Sequence, residues 1–196
     1  MDGLYLIVST ERALELVPQA LAGGIDCIQL RHKGPLTRAV VALAEELLQL
    51  CGAVPLIVND RVDLARAVGA AGVHLGQTDL PLAEARALLG PHAILGATAS
   101  TLEEALRAEA EGASYVGFGH IFPTSTKVKS TPPVGLAALR EVCRRLHIPV
   151  VAIGGIHRDN IAAVWATGVA AVAVASAIGD ALDPCAETRR LKCSAI

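Results

Sequence analysis

The amino-acid sequence predicts an α/β fold, a compact (β/α)8 TIM barrel that forms a single domain over residues 1–196. Short apolar segments alternate strictly with helical patterns along the chain, which is typical of a parallel sheet. The chain is 53% hydrophobic and only 3% aromatic, so its core must be aliphatic, as it is around buried parallel strands. Such barrels usually need ~250 residues. The alternative is a doubly wound open sheet, but eight strands in a chain of 196 residues favour closure.

The predicted strands are apolar segments rich in Val, Ile and Leu. In chain order they lie at residues 4–8, 27–31, 55–59, 72–75, 93–97, 115–119, 149–153 and 170–175. A weak internal repeat places a glycine shortly before four of them, at Gly24, Gly69, Gly112 and Gly168. Each of these glycines follows an Ala- and Leu-rich stretch, where it can end a helix in the left-handed conformation.

Helices are predicted between the strands wherever apolar residues recur three or four positions apart. The clearest helix covers residues 36–51, and residues 102–110 and 136–146 show the same spacing. Residues 124–134 form the longest irregular stretch and are the best candidate for a mobile lid.

The bulk properties of the chain exclude several classes of function. A net charge of −2 gives no overall field that would attract nucleic acid or an acidic membrane. No apolar run approaches the ~20 residues of a membrane span. The five cysteines include no CxxC pair, which disfavours a zinc site or a disulfide framework. The acidic start does not resemble a signal peptide. We therefore expect a cytoplasmic protein with reduced thiols, and a homo-oligomer is compatible with the sequence.

Polar residues follow most of the predicted strands, at the end of a barrel where active sites lie. Gln29, Arg31 and Lys33 alternate along the second strand and its extension, so their side chains should point the same way. The other candidates are Asn59, Asp60, Gln77, Asp79, Thr98, His120, Thr124, Thr126, Lys127, Gly154, Gly155 and Ser176. We expect these residues to surround one barrel mouth.

Cations and carboxylates in this set indicate a site for a pyrophosphate with a metal ion. Arg31, Lys33 and Lys127 supply the positive charge that phosphate oxygens require. Asp60 and Asp79 are the pair of carboxylates that Mg2+ needs, because this ion keeps several waters and bridges to substrate phosphates.

A second phosphate is predicted on the glycine loop near Ser176. The hydroxyls of Thr124 and Thr126 can donate to phosphate oxygens. Gly154, Gly155 and Ser176 follow the seventh and eighth strands, where barrels often bind phosphate. The residues therefore favour magnesium-assisted handling of a pyrophosphate and a second phosphorylated compound.

Simpler interpretations exist for several of these residues. Asp60 and Asp79 each precede a helix and could serve as N-caps. Arg31 and Lys33 could be solvated charges at a strand end. The glycine pair alone could be a tight turn.

The histidines differ in position. His120 ends the sixth strand, where a titratable group could reach a ligand or could orient a neighbouring side chain. His74 lies within a short strand and is predicted to be a structural barrel histidine. No Cys–His or Ser–His–Asp pairing is evident, so nucleophilic catalysis is not favoured.

Five segments of the chain, in order, resemble the thiamine-phosphate synthase and thiazole tautomerase family. They are residues 29–33 (Gln-Leu-Arg-His-Lys), 58–61 (Val-Asn-Asp-Arg), 72–79 (Gly-Val-His-Leu-Gly-Gln-Thr-Asp), 123–127 (Pro-Thr-Ser-Thr-Lys) and 153–156 (Ile-Gly-Gly-Ile). The resemblance implies a (β/α)8 barrel and a transferase. Such an enzyme joins 4-amino-5-hydroxymethyl-2-methylpyrimidine pyrophosphate to 4-methyl-5-(2-phosphoethyl)thiazole, and it gives thiamine phosphate and pyrophosphate by a dissociative substitution.

The resemblance also implies a role for each matching residue. The pyrimidine pyrophosphate would be bound by Gln29, Arg31, Lys33, Asn59, Thr98 and Lys127. Mg2+ would be held by Asp60 and Asp79. The thiazole phosphate would be held by Thr124, Thr126, the Gly155 backbone and Ser176. Direct action on the reacting groups is expected from Arg31, Lys33, Thr98, His120 and Lys127.

Two other functions share the barrel. Thiazole tautomerases use a histidine in a Gly-His motif like Gly119-His120, but their pattern usually lacks the metal carboxylates. This chain keeps Asp60 and Asp79, which favours the synthase. The third hypothesis is a non-catalytic regulator that binds phosphorylated ligands, against which the full set of cations and carboxylates argues.

Overall fold

A computed structural model of the protein describes residues 2–124 and 131–194 and shows a closed barrel of parallel strands. The strands are β1 (Gly3–Ser9), β2 (Cys27–Arg31), β3 (Leu56–Asn59), β4 (Gly72–Leu75), β5 (Ile94–Ala99), β6 (Tyr115–Gly119), β7 (Val150–Ile153) and β8 (Ala171–Val174). They pair in chain order, and β8 closes the barrel against β1. The predicted (β/α)8 barrel is confirmed.

Helices follow the strands and cover the outside of the barrel. They are α1 (Ala13–Ala22), α2 (Arg38–Cys51), α3 (Val62–Val68), α4 (Leu82–Leu89), α5 (Leu102–Ala110), α6 (Gly135–Arg145), α7 (Ile161–Trp165), α8 (Ser176–Gly179) and α9 (Pro184–Cys193). The predicted bounds agree with these to within two residues. Two ends shift by two residues: α2 begins at Arg38, and β5 extends through Ala99 because Thr98 and Ala99 still pair with β6. None of the described helices is both long and apolar enough to cross a membrane.

Local signals in the sequence account for many of the element ends. The glycines at positions 24, 69, 112 and 168 have φ angles of 87°, 69°, 86° and 89°, as predicted for residues that end helices in the left-handed region. Helix α5 begins with a capping box, in which Thr101 and Glu104 each bond the other's backbone N–H. Such a cap contributes ~1 kcal/mol to helix stability.

The alternation of side chains along the strands divides the apolar residues into two cores. Outward-facing residues such as Leu4, Leu6 and Leu30 are fully buried between the barrel and the helices. Inward-facing residues form a second cluster that fills the amino-terminal half of the barrel interior. It comprises Tyr5, Cys27, Ile57, Tyr115, Val151, Ala171 and Ala173. We call this cluster the barrel floor. Among the described residues, this cluster occupies the amino-terminal half of the interior and leaves space toward the carboxyl ends of the strands.

Candidate functional site

A cavity of about 670 Å3 lies above the barrel floor, at the carboxyl ends of the strands. Its walls are the inward-facing positions of the strands and the loops that follow them. Nine residues predicted from the sequence line it: Gln29, Arg31, Asn59, Thr98, His120, Thr124, Gly154, Gly155 and Ser176. The structure therefore brings together residues from β2, β3, β5, β6, β7 and β8, as expected for an active site of this fold.

Lys33, Asp60 and Asp79 form a separate group beside the cavity, next to Asn59. Lys33 Nζ donates a hydrogen bond to Asp60 Oδ2. The Gly76 N–H donates to Asp79 Oδ2 at 2.6 Å, and the two carboxyl groups are close enough to bond each other. We call Lys33, Asp60 and Asp79 the rim cluster.

The two carboxyl groups of the rim cluster have different electrostatic environments. Partial burial acts to raise the pKa of Asp60, but hydrogen bonds from Lys33 and Asp79 outweigh it, and the pKa of Asp60 is lowered. Partial burial and the neighbouring Asp60 charge raise the pKa of Asp79, although the Gly76 N–H opposes them. Asp60 is therefore the stronger acid, and Asp79 is the one that retains a proton when only one charge is tolerated.

Backbone geometry rules out the capping role for Asp60. Its φ angle is +62°, and the Arg61 N–H donates to the Asn59 carbonyl at 2.7 Å, which closes a tight turn around Asp60. Helix α3 begins only at Val62 and has no side-chain cap. A left-handed aspartate is uncommon outside turns and functional sites. This turn directs the carboxylate toward Lys33 instead of the helix.

Asp79 is not a helix cap either. The helix after it, α4, is preceded by Pro81 and has no side-chain capping bond. Its carboxylate instead bonds the Gly76 N–H within its own loop. Both aspartates therefore serve the rim cluster, and the capping interpretation was wrong for each.

The rim cluster suits a magnesium ion better than a metal that needs a protein cage. Within residues 2–124 and 131–194, no three His, Cys, Asp or Glu side chains come together in a metal-binding arrangement. Mg2+ commonly takes one or two carboxylates and completes its octahedron with waters and substrate phosphates. Asn59 adds a buried Nδ2 with no hydrogen-bond partner among the described residues, and such a donor is typical of a site whose ligand supplies the acceptor.

The glycine loop after β7 forms the opposite wall of the cavity. Gly154 and Gly155 have φ angles of 101° and 67°. Asn160 holds this loop from behind, since its Nδ2 donates to the Gly155 carbonyl and its Oδ1 accepts from the His157 N–H, both at 2.9 Å. This role of Asn160 was not predicted from the sequence.

The same loop packs directly against the segment that follows β6. A Cβ atom added at Gly154 would lie 2.3 Å from the His120 Cβ, and one added at Gly155 would lie 2.3 Å from the Pro123 carbonyl oxygen. Thr124, one residue further, lines the cavity. The position of the Thr124 hydroxyl therefore depends on the absence of side chains at the glycine pair.

Thr126, predicted for the second phosphate site, and Lys127, predicted for the pyrophosphate site, lie outside the described residues. Most of the predicted lid at residues 124–134 lies there too. The roles assigned to them stay predictions.

Several cavity residues were not predicted from the sequence. Tyr5, Tyr115 and His74 form a hydrogen-bonded row across the barrel floor and line the cavity from below. His74 is bonded at both ring nitrogens, as predicted for a structural barrel histidine. A tyrosine in an apolar strand is easily taken for a core residue. Tyr5 could have been predicted to face the interior, because side chains alternate along a strand and Tyr5 shares one face of β1 with Ile7 and Ser9.

Comparisons with known proteins agree with this arrangement. Residues 4–178 match the family described as thiamine monophosphate synthase. A thiamine-phosphate synthase of Chlorobium luteolum is 49% identical over 87% of this chain and 82% of its own length. One of Anaeromyxobacter dehalogenans is 48% identical over 98% of this chain and 87% of its own length. The solved structure of a thiamine phosphate pyrophosphorylase from Pyrococcus furiosus superposes with a TM-score of 0.89 at 41% identity, covering 98% of this chain and 95% of that one.

Proposed function

The chain belongs to the thiamine monophosphate synthase family, and from this premise we propose the reaction that its cavity carries out. The protein, a transferase by family, joins 4-amino-5-hydroxymethyl-2-methylpyrimidine pyrophosphate to 4-methyl-5-(2-phosphoethyl)thiazole. The products are thiamine phosphate and pyrophosphate. The observation that carries the proposal is the rim cluster of Lys33, Asp60 and Asp79 beside a cavity lined by Arg31 and Asn59.

The rim cluster and Arg31 would bind the pyrophosphate of the first substrate. Asp60 and Asp79 would hold Mg2+, which when bound would neutralise charge on the departing pyrophosphate. Arg31 presents a rigid fork of donors and Lys33 a compact charge, and Lys127 would add a third cation. The buried Asn59 amide would donate to an oxygen of the same substrate.

The pyrimidine would lie deeper in the cavity, over the barrel floor, where Gln29 and Thr98 face inward. The thiazole phosphate would lie against the opposite wall, held by the Gly155 backbone, Ser176 and the hydroxyls of Thr124 and Thr126. Pyrophosphate would leave first, and the thiazole nitrogen would then attack the resulting pyrimidine cation. A dissociative step of this kind needs positioning and charge stabilisation more than a strong base. The described cavity supplies those features.

A tautomerase activity is the second candidate, and one observation favours it. His120 is buried and lines the cavity, so its imidazole could exchange a proton with a bound thiazole. A proton exchange at His120 would not use the carboxylates of the rim cluster, and therefore the synthase is the better proposal.

The proposed function is tested by pyrophosphate release from the two thiamine precursors, with Mg2+ and with excess chelator. We expect stoichiometric release of pyrophosphate with formation of thiamine phosphate, only when the metal and both precursors are present. Release without thiamine phosphate would contradict the proposed transfer. No release, but proton exchange on a thiazole carboxylate phosphate, would support the tautomerase. Binding of the ligands without either reaction would indicate a regulator.

The charge difference within the rim cluster predicts a pH-dependent metal affinity. Above the raised pKa of Asp79 both carboxylates are ionised and available to a divalent cation. As the pH falls through that pKa the metal must displace a proton, so its affinity should fall by about tenfold per pH unit. Titration of substrate-free protein with Mn2+, followed by electron paramagnetic resonance between about pH 4 and pH 8, would show this trend. An affinity that does not change over this range would contradict the assignment of Asp79.

A further inference from the structure

A continuous row of hydrogen bonds crosses the barrel floor and joins the side of the cavity formed by β1 and β2 to the side formed by β4, β5 and β6. Gln29 Nε2 lies 2.8 Å from the Tyr5 hydroxyl, which lies 3.1 Å from the Tyr115 hydroxyl. The Tyr115 hydroxyl lies 2.9 Å from His74 Nδ1, and His74 Nε2 lies 2.9 Å from Thr98 Oγ1. Tyr5, Gln29 and Tyr115 are at most 3% exposed. The row therefore has two ends, Gln29 and Thr98, and both face the cavity.

Two positions next to this row, Gly96 and Gly117, have no room for a side chain. A Cβ atom at Gly96 would lie 2.4 Å from the Tyr115 hydroxyl oxygen and 2.5 Å from His74 Nδ1. A Cβ atom at Gly117 would lie 2.8 Å from His74 Cε1. The Tyr115 and His74 rings also stack, with centroids 5.5 Å apart. The row is thus a packed part of the barrel with little freedom to rearrange.

Donor and acceptor chemistry gives the row a single direction. A neutral imidazole has one donor and one acceptor nitrogen, and a phenol hydroxyl is the better donor when it meets an imidazole. Burial raises the pKa of both Tyr5 and Tyr115, so both hydroxyls keep their protons. Tyr115 therefore donates to His74 Nδ1, and the only proton left on the imidazole, on Nε2, is donated to Thr98.

The same rule fixes the other side of the row. Because the Tyr115 proton goes to His74, Tyr115 must accept from Tyr5. Because the Tyr5 proton goes to Tyr115, Tyr5 must accept from the Gln29 amide nitrogen. The Gln29 amide is thereby oriented, and its Oε1 has no hydrogen-bond partner within the part of the chain that the structure describes.

We propose that Tyr5, Tyr115 and His74 are positioning residues that set the hydrogen-bonding roles of Gln29 and Thr98 together. The row makes Gln29 Oε1 an acceptor toward the cavity and leaves the Thr98 hydroxyl proton available as a donor. An aminopyrimidine offers the complementary pair, an amino group that donates and ring nitrogens that accept. This last step rests on the proposed function, whereas the direction of the row does not. Tyr5, Tyr115 and His74 also line the cavity, and the role proposed for them is to orient Gln29 and Thr98.

The direction of the row is tested first by the tautomer of His74. Protein labelled with 15N in its histidines would give a long-range 1H–15N spectrum, and the His74 signals would be assigned by their loss in His74→Asn. We expect the form protonated on Nε2 alone. Protonation on Nδ1 alone, or on both nitrogens, would overturn the proposal. This result does not depend on which substrate the protein uses.

The positioning role is tested by Tyr5→Phe, with Thr188→Val as the matched control. Thr188 is fully buried and its hydroxyl donates to the Pro184 carbonyl at 2.7 Å, on α9 and away from the cavity. Tyr5→Phe loses two buried hydrogen bonds, those to Gln29 and Tyr115, and should lower the melting temperature by about 4–8 °C, whereas Thr188→Val loses one and should lower it by about 2–4 °C. Only Tyr5→Phe should weaken binding of the pyrimidine pyrophosphate, by about tenfold in calorimetry, with unchanged affinity for the thiazole phosphate.

The outcomes of the binding experiment are distinct. An unchanged pyrimidine affinity in Tyr5→Phe would overturn the positioning role, as would an equal loss for both ligands. If the parent protein binds neither ligand, the proposed function is wrong and the substrate of the positioning role is no longer identified. The tautomer of His74 would still show whether the proposed direction of the row is correct.

Discussion

Asp79→Asn is expected to lower magnesium-dependent turnover by a factor on the order of 10²–10³ while the fold stays intact. The substitution keeps the shape of the side chain and an oxygen that can accept from the Gly76 N–H, whose bond to Asp79 Oδ2 is 2.6 Å long. The loop geometry should therefore survive. What is lost is a negative charge, and with it half of the carboxylate pair that would bind Mg2+. Steady-state turnover as a function of Mg2+ concentration measures this effect.

The control for this variant is Asp63→Asn. Asp63 is a nearby carboxylate on α3 that pairs with Arg61 and does not line the cavity. The Asp63→Asn substitution should leave turnover and the Mg2+ requirement almost unchanged. If Asp79→Asn keeps the parent turnover at the same Mg2+ concentration, the rim cluster is not the metal site, whatever the role of Asp60.

Gly155→Ala is expected to destabilise the protein by about 2–5 kcal/mol and to abolish most thiazole phosphate binding. Two costs add up. Its φ angle of 67° is unfavourable for any residue with a Cβ atom. The new methyl group would also lie 2.3 Å from the Pro123 carbonyl and 2.9 Å from the Phe122 carbonyl. The backbone before Thr124 would have to move. Thermal unfolding and calorimetry with the thiazole phosphate measure the two effects.

Gly69→Ala separates the strain from the clash. Gly69 has a φ angle of 69°, nearly equal to that of Gly155, and a Cβ atom there would meet nothing within 4 Å. This variant should lose only about 1–2 kcal/mol and should bind both substrates as the parent does. Equal destabilisation in the two variants would show that the contact with Pro123 carries no cost, and the glycine pair would then have no steric role in the site.

The barrel itself was predictable because its signals are local and repeated. Apolar segments, helical spacing and glycines such as Gly112 act within a few residues of the element they specify, so eight similar units reinforce one prediction. The residues at strand ends were predictable for a related reason. Alternation of side chains places Gln29 and Arg31 on the same face of β2, and closure of the barrel brings every such face to one mouth.

The remaining features depend on partners that are distant in the chain. The hydroxyl of Tyr5 has a role only because that of Tyr115, 110 positions away, lies beside it. Lys33 was assigned to a pyrophosphate from its charge, but only the structure shows that it also pairs with Asp60. The capping interpretation of Asp60 failed because a positive φ angle leaves no local trace in the sequence. Contacts between distant strands and unusual backbone angles therefore cannot be predicted from local sequence patterns.

The space that Gly96 and Gly117 leave for the polar row limits how this barrel can be altered over evolution or by engineering. A larger residue at Gly96 would collide with Tyr115 and His74, whereas an apolar replacement of His74 or Tyr115 would leave a buried hydroxyl without its partner. Each of these substitutions alone is therefore expected to destabilise the protein. A barrel floor suited to an apolar ligand would require several substitutions made together. The accessible route to new specificity runs through the loops at the mouth, where substitutions do not have to be made together.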